Sequence, residues 1–504
     1  MCSFLDGLST IVWVKYEDTV FSFPGCIHQA LSRVEAWISR QYGYDHELKV
    51  ESFQVSRMQS WIERFPLFIF DFMLAQVTKD DKKMINSWAM FDWANSSYSL
   101  VISSAIFPAY FLSVTSSTIH IGKSSFTNSS YFSYIISVAY ILVALGLPVL
   151  SGIADYSGKR LYFLRIFTWI GSLACLCLFF FTGMETLWIG TLGFMFASIG
   201  FTASLVFYNS FLPVISTKDN YDKTSARGFA YGYVGSVILL IVNLVVIQNK
   251  EWFGIRDTGF AVRLAFVMVG LWWILFAQIP FKKLPADMEG KFGTKILSKG
   301  YQELLKVWHK LNHQQDLKLF LISFFFYSAG VQTVLYMAAT FADKELGFGG
   351  TELIVIILIL QLVGLVGAYV FSTVSKHRGN KFSLLTMLSL WIVVCICAYF
   401  THTKTQFYFI ASGVGLVMGG IQSLSRSTYG KLLDKNEVDI TSYYSFYDVL
   451  EKLAIVIGTF SFGFIDNISG GMRNSVLILI FYFAIGIIVL STVKMKEAML
   501  LDEV

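Results

Sequence analysis

Long, continuously apolar runs recur along this chain, separated by short clusters of charged and small residues. From Ser87 onward they become regular, and they predict helices at roughly 87–113, 131–152, 161–182, 186–208, 229–248 and 264–281. A more polar stretch from Lys282 to Asp316 interrupts them, and a second set falls at roughly 318–341, 351–374, 382–401, 406–428, 446–466 and 475–493. Runs of about 18 residues or more can cross the roughly 30 Å hydrocarbon core as helices rising 1.5 Å per residue. In lipid the backbone must be satisfied within the segment, which favours helices. A barrel would alternate apolar and polar positions over strands of about ten residues, and these runs do not alternate. The expected fold class is an all-α membrane protein of about twelve transmembrane helices in two six-helix bundles.

Residues 1–83 break this pattern, with scattered charges and an apolar stretch at 61–77 that contains Glu63, Pro66 and Asp71. The basic start and apolar core of a signal peptide are missing. Three readings stay open: an interfacial amphipathic helix over Pro66–Val77, a poorly structured extension, or translation from upstream of the true start. The expected organisation is an N-terminal extension at 1–83, a first bundle at 84–281, a cytoplasmic linker at 282–317 and a second bundle at 318–504.

Composition agrees with the pattern. The 504 residues are 55% hydrophobic and only 14% charged, against about 25% charged in soluble domains. The net charge of +5 does not indicate a nucleic-acid partner, because the basic residues sit in short loops, where they act as topology signals. Lys79, Lys82, Lys83, Lys159, Arg160, Lys218, Lys223 and Arg227 fall on one side, with the lysines of the linker and Lys376, Arg378, Lys381, Lys431 and Lys435. The opposite loops hold fewer, among them Lys123, Lys250, Arg256, Arg263, Lys344, Lys404 and Arg473. Both termini are therefore expected in the cytoplasm, at the cell membrane if the chain is bacterial. Cys175, Cys177, Cys395 and Cys397 lie inside apolar runs and read as small hydrophobes. The histidines lie outside the runs, and neither HExxH nor CxxC occurs. No catalytic group, metal site or cofactor is expected, and the chain does not read as an enzyme.

The two halves repeat. GIADYSGKR at Gly152–Arg160 follows the second run and SKHRGNK follows the eighth, so that Gly158 answers to Gly379 and Arg160 to Lys381. Each following run carries Cys-x-Cys, and the same register sets Phe207-Tyr208-Asn209 opposite Thr428-Tyr429-Gly430. Internal symmetry of this kind is typical of two-bundle transporters.

The Gly152–Arg160 segment resembles the signature loop of the major facilitator superfamily. Its glycines suit a tight turn, its acid lies near a helix end, and its bases stay in the cytoplasm. The resemblance implies that Asp155, Lys159 and Arg160 are gate residues, since in that superfamily the acid helps latch the cytoplasmic side when the carrier faces outward. Four further segments narrow it: SWAMFDWANSSYSLVISSAIFPAYF, SLVFYNSFLP, GFAYGYVG, and GGIQSLSRSTYGKLL followed by YYSFYDVLEK. From about Lys82 onward the chain is similar to the fungal autophagy-related vacuolar amino-acid effluxers and their bacterial relatives. For the fungal members this implies export of neutral amino acids. One departure concerns the seventh run, where many members carry an acid and this chain has Ser328 and Ala329 in FFFYSAGVQTVLYM.

Ionisable groups inside apolar helices are costly and usually belong to a pathway or gate. Asp92, Arg426, Glu451 and Lys452 are such groups, and all are read as gating. Asp92 and Arg426 are expected near the cytoplasmic surface. Arg426 ends the tenth run and Glu451 opens the eleventh, which makes Glu451 the first-choice partner for Arg426 and Asp92 the second. Glu451 and Lys452 are adjacent, so each is expected to find a different partner. By position in the superfamily's cavity-lining first, fourth, seventh and tenth spans, Asn95, Asn209, Gln332, Gln422 and Ser425 are candidate substrate contacts. The aromatic clusters at 324–327 and 272–273 read as lipid-facing or belt residues. Gly232, Gly235, Gly419 and Gly420 read as sites of close helix contact.

The expected function is secondary active transport by alternating access, exporting small neutral solutes such as amino acids across the bilayer. Whether a proton or another ion is coupled stays open. The alternatives are a transport-inactive receptor or scaffold with the same fold, and a lipid-moving carrier.

Overall fold

A computed structural model describes residues 11–16, 19–24, 79–122, 124–287, 296–433, 439–469 and 472–495. The chain divides into two compact units, Met1–Gln76 and Val77–Val504. In the first, β1 (Ile11–Tyr16) pairs antiparallel with β2 (Thr19–Pro24), a hairpin the sequence did not predict. The stretch at Pro66–Val77 lies outside the described residues.

The second unit is helical. Its first half comprises α1 (Lys82–Val114), α2 (Asn128–Ser157), α3 (Arg160–Cys177), α4 (Leu187–Asn209), α5 (Tyr221–Gln248) and α6 (Thr258–Lys283). An amphipathic helix α7 (Ile296–His313) precedes α8 (Gln315–Leu346). The continuous helix Gly350–Tyr399 is two helices meeting at Gly379, which has φ 80 and ψ 160, and they are labelled α9 (350–378) and α10 (380–399). α11 (Lys404–Leu432), α12 (Ile440–Ser469) and α13 (Met472–Thr492) complete the chain. A short hairpin, β3 (Thr118–Ile121) with β4 (Ser124–Thr127), links α1 to α2.

Ten helices among the described residues are long and apolar enough to cross a membrane, with the Glu352–Tyr399 pair counted as one. α12, whose first half carries Asp448, Glu451 and Lys452, is not among these ten. The sequence repeat has a physical counterpart. Gly158 (φ 66) and Gly379 (φ 80) both adopt the left-handed region that glycine enters without a Cβ penalty. Cys175 and Cys395 are buried, whereas Cys177 and Cys397 are exposed.

Within the first half α1 packs on α5 and α6, and α3 on α4 and α6; within the second α8 packs on α12 and α13, and α11 on α9 and α10. The halves meet along α5 against α9–α11 and along α2 against α12. The end that carries the α2–α3 turn is called here the loop end.

Two expectations about helix faces resolve differently. The predicted close-contact glycines do sit at helix crossings: a Cβ on Gly419 would fall on the Gly364 carbonyl, and one on Gly420 would strike Phe371 and Met387. Gly419→Ala should therefore force α9 and α11 apart and lower stability by about 1–3 kcal/mol, read as a drop in melting temperature in detergent. The aromatic clusters are not a lipid belt. Trp273, Phe324 and Tyr327 are buried, and Trp272 stacks on Trp93 at 5.6 Å. Hydrophobic content alone does not tell which side of a helix faces lipid.

Candidate functional site

The start of α1 is fixed by two carboxylates. Asp81 caps the helix, accepting from the Lys83 and Met84 amides. Asp80 accepts from the Ser216 hydroxyl (2.7 Å) and from the Thr217 amide (3.0 Å) and hydroxyl (2.6 Å), which ties α1 to the α4–α5 loop. Burial alone would raise the Asp80 carboxyl, but these hydrogen bonds outweigh it and hold the group below its usual range.

Three turns into α1, Asp92 meets Arg426 of α11 across the seam between the halves, with Nη1 3.3 Å from Oδ2. Both residues are buried, 5% and 3% exposed. Tyr208 donates its hydroxyl to the same carboxylate oxygen at 2.7 Å. The guanidinium also donates to Ser225 Oγ (2.9 Å), Ser225 carbonyl (2.8 Å) and Asn209 Oδ1 (3.2 Å). It lies between the rings of Phe229 (4.4 Å) and Trp88 (4.9 Å). A fork of planar donors among aromatic faces is a setting that arginine fills and lysine does not. Only glycine fits beside it: a Cβ on Gly228 would lie 2.5 Å from Asp92 Oδ2.

The partner of Arg426 is therefore Asp92, not Glu451. Loop adjacency suggested Glu451, but that carboxylate is already engaged, accepting from Gln332 Nε2 and from Lys452 Nζ, each at 2.9 Å. Glu451 and Lys452 each find the separate partner expected, Gln332 for the acid and Asp448 for the lysine at 3.9 Å, but the lysine stem is long enough to curl back to its neighbour as well.

At the loop end Asp155 bridges the halves. Its carboxylate accepts from the amides of Thr441 (3.2 Å) and Ser442 (2.7 Å) at the N-terminus of α12, and from Arg160 at 3.1 Å. Free N–H groups and the positive end of the helix dipole make such a terminus a ready anion site. Gly158 permits the turn that places Arg160 at the start of α3, where Asp287 caps the helix through the Leu161 and Tyr162 amides, both 2.7 Å. Burial outweighs these hydrogen bonds and raises the Asp287 carboxyl. Lys159 lies beside the Tyr162 ring, 6.0 Å from its centroid.

The other half answers with a latch that sequence reasoning missed. Asp222, in the first turn of α5, accepts from Lys431 Nζ (2.6 Å), Ser375 Oγ (2.7 Å) and Asn380 Nδ2 (2.8 Å). In the first half the acid sits on the loop and the helix start receives it. In the second latch the acid sits on a helix start, that of α5 in the first half, and the second half supplies the donors from the loop around Gly379 and from Lys431 of α11. The missing acid in SKHRGNK was the available signal, since register places Lys376 opposite Asp155.

Above these contacts lies a cavity of about 280 Å³ walled by both halves. Asn95, Asn209, Gln332, Gln422 and Ser425 all line it, with Asp92, Arg426, Glu451 and Lys452. Most of their polar atoms are already paired: Gln422 accepts from Tyr233 (3.0 Å), Ser425 bonds Tyr327 (2.7 Å), and Asn95 donates to Ser204 (3.1 Å). Asn95 Oδ1 has no partner among the described residues. Part of the α1 wall, Tyr98–Ile106, is wound as a π-helix, a geometry found frequently at functional sites. Among the described residues no cluster of ligating side chains could hold a metal ion.

The family model described as "Vacuole effluxer Atg22 like" matches residues 80–501. A Bacillus subtilis (strain 168) protein named as an uncharacterized MFS-type transporter, YxiO, is 30% identical over 84% of this chain and 96% of its own. Autophagy-related protein 22-1 of Aspergillus niger is 26% identical over 70% of each chain. Among solved structures, the transporter FucP in its outward conformation superposes with a TM-score of 0.62 over 82% of this chain and all (100%) of its own, at 12% identity. An outward-facing bacterial homologue of the iron transporter ferroportin gives 0.59 over 81% of this chain and 98% of its own, at 13% identity. The chain thus belongs to the vacuole effluxer Atg22-like family and is a multi-pass membrane transporter with the major facilitator fold.

Proposed function

We propose that this protein is a secondary active transporter that works by alternating access and exports small neutral solutes, amino acids first. The observation that carries the reading is a cavity walled by both halves together with three polar latches between those halves, Asp92–Arg426, Asp155–α12 and Asp222–Lys431. Buried polar latches of this kind have two discrete arrangements, made and broken, which a rocking carrier requires. The loop end is taken as cytoplasmic from its basic residues, with both termini on that side, so the arrangement corresponds to an outward-facing carrier. On this reading α12 also spans the bilayer, giving twelve spans in bundles at 84–281 and 318–504.

The cargo class follows from size and polarity. The cavity is near the small end of ligand pockets, which run about 300–1,000 Å³. Its amides, hydroxyls and internally compensated charges suit a zwitterion better than a multiply charged anion. A thermal-shift screen of the purified protein against amino acids, sugars and nucleosides tests this. A cargo at a hundred times its Kd should stabilise the folded state by about 2.7 kcal/mol. A shift confined to sugars or nucleosides would overturn the amino-acid reading.

The family match begins at residue 80, so residues 1–76 should be dispensable. A chain beginning at Val77 should insert and transport at the rate of the full chain. Failure of insertion would assign the early segment a structural role.

A further inference from the structure

The cavity holds two acids that none of the latches uses, Glu451 and Asp448. Asp448 lies on the α12 face that carries Lys452 one turn later, with Nζ 3.9 Å from its Oδ1, and it is only 4% exposed. Its other oxygen, Oδ2, is sealed from solvent and has no hydrogen-bond partner among the described residues. Lys452 is held more closely by Glu451, at 2.9 Å. Two carboxylates therefore share one ammonium, and the cluster carries one negative charge too many for a dry wall.

The groups packed around it do not remove that excess. From α2, Tyr140 turns its ring toward Lys452 (5.8 Å) and joins hydroxyls with Tyr336 of α8 at 3.1 Å. Tyr327 of α8 bonds Ser425, Tyr98 of α1 bonds Ser198, and Asp92 and Arg426 compensate each other. All four tyrosines are neutral in the ordinary pH range.

We propose that Asp448 is the proton-binding site that couples transport to a pH gradient, a role that rests on the carrier reading above. A proton needs no room. A cargo ammonium would have to touch Oδ2, and nothing of that size reaches a sealed atom. Asp448 lines the cavity, so cavity water passes the proton to its carboxyl, an O–H bond forms there, and the cluster becomes neutral with Lys452 given over to Glu451. Reopening toward the other side returns the proton to water.

The test uses the full chain in liposomes, with infrared difference spectra between acid and neutral pH. A protonated carboxyl band should appear on acidification, shift when aspartate is carbon-13 labelled in the wild-type chain, persist in Glu451→Gln and vanish in Asp448→Asn. The labelling arm needs no substitution, so a misfolded variant cannot obscure it. In parallel, an equimolar mixture of radiolabelled neutral L-amino acids is offered with a one-unit pH gradient, which one coupled proton converts into about tenfold accumulation. Asp448→Asn should abolish the accumulation and keep exchange of the mixture without a gradient. A band unmoved by aspartate labelling, or accumulation that survives Asp448→Asn, overturns the proposal. If the wild type moves none of the mixture, the cargo reading fails and the spectra alone decide the proton site.

Discussion

Arg426→Gln should abolish transport and lower stability by about 3–5 kcal/mol, because it leaves the Asp92 carboxylate buried with its charge uncompensated. Asp92→Asn should do comparable damage from the other side, stranding a guanidinium among Trp88, Tyr208 and Phe229. The double variant Asp92→Asn with Arg426→Gln should be more stable than the sum of the two single losses implies, by about 0.5–3 kcal/mol. Recovery should stop short of wild type, since Ser225 and the aromatic faces also lose their partner. Arg426→Lys keeps the charge but not the fork, and should recover little. Melting temperatures of the four proteins in detergent give the cycle. Simple additivity would show that the two charges are not coupled.

The second large effect is expected at Asp155. Asp155→Asn places an amide where two backbone N–H groups and a guanidinium need an acceptor. Hydrogen bonds to a charged group contribute about 1.5–3 kcal/mol, so losing one shifts the balance of open and closed loop ends about ten- to a hundredfold. Ser103→Cys, in a chain whose native cysteines are replaced by serine, provides the probe because Ser103 lines the cavity. Its labelling by a membrane-impermeant reagent from the loop side should rise by that factor when Asp155→Asn is added, with cargo affinity little changed. A large loss of affinity with unchanged labelling would contradict a gating role.

The helices were legible in the sequence because the bilayer leaves the backbone few alternatives, and even the break at Gly379 followed from its register with Gly158. Arg426 was legible as a costly charge needing a partner, but its partner, Asp92, stood only second among the candidates. Chain proximity pointed to Glu451, whereas packing of α1 and α5 against α11 delivered Asp92, a contact between residues far apart in sequence. Asp222 escaped notice because an acid in the first turn of a helix is ordinary, and its donors come from a loop in the other half. Asp448 was hidden in YYSFYDVLEK for a related reason: only the fold reveals that one of its oxygens is sealed and unpaired. Buried aromatics such as Trp273 misled because a fully apolar helix has no periodicity to mark its inner face.

Flux across a membrane tests the central claim most directly. The full chain, reconstituted in liposomes preloaded with unlabelled neutral L-amino acids, should take up the labelled mixture by saturable counterflow, and Arg426→Gln should reduce it to the level of empty liposomes. Folded protein that gives no counterflow for any neutral solute, or that instead moves labelled lipid between leaflets, would contradict the account.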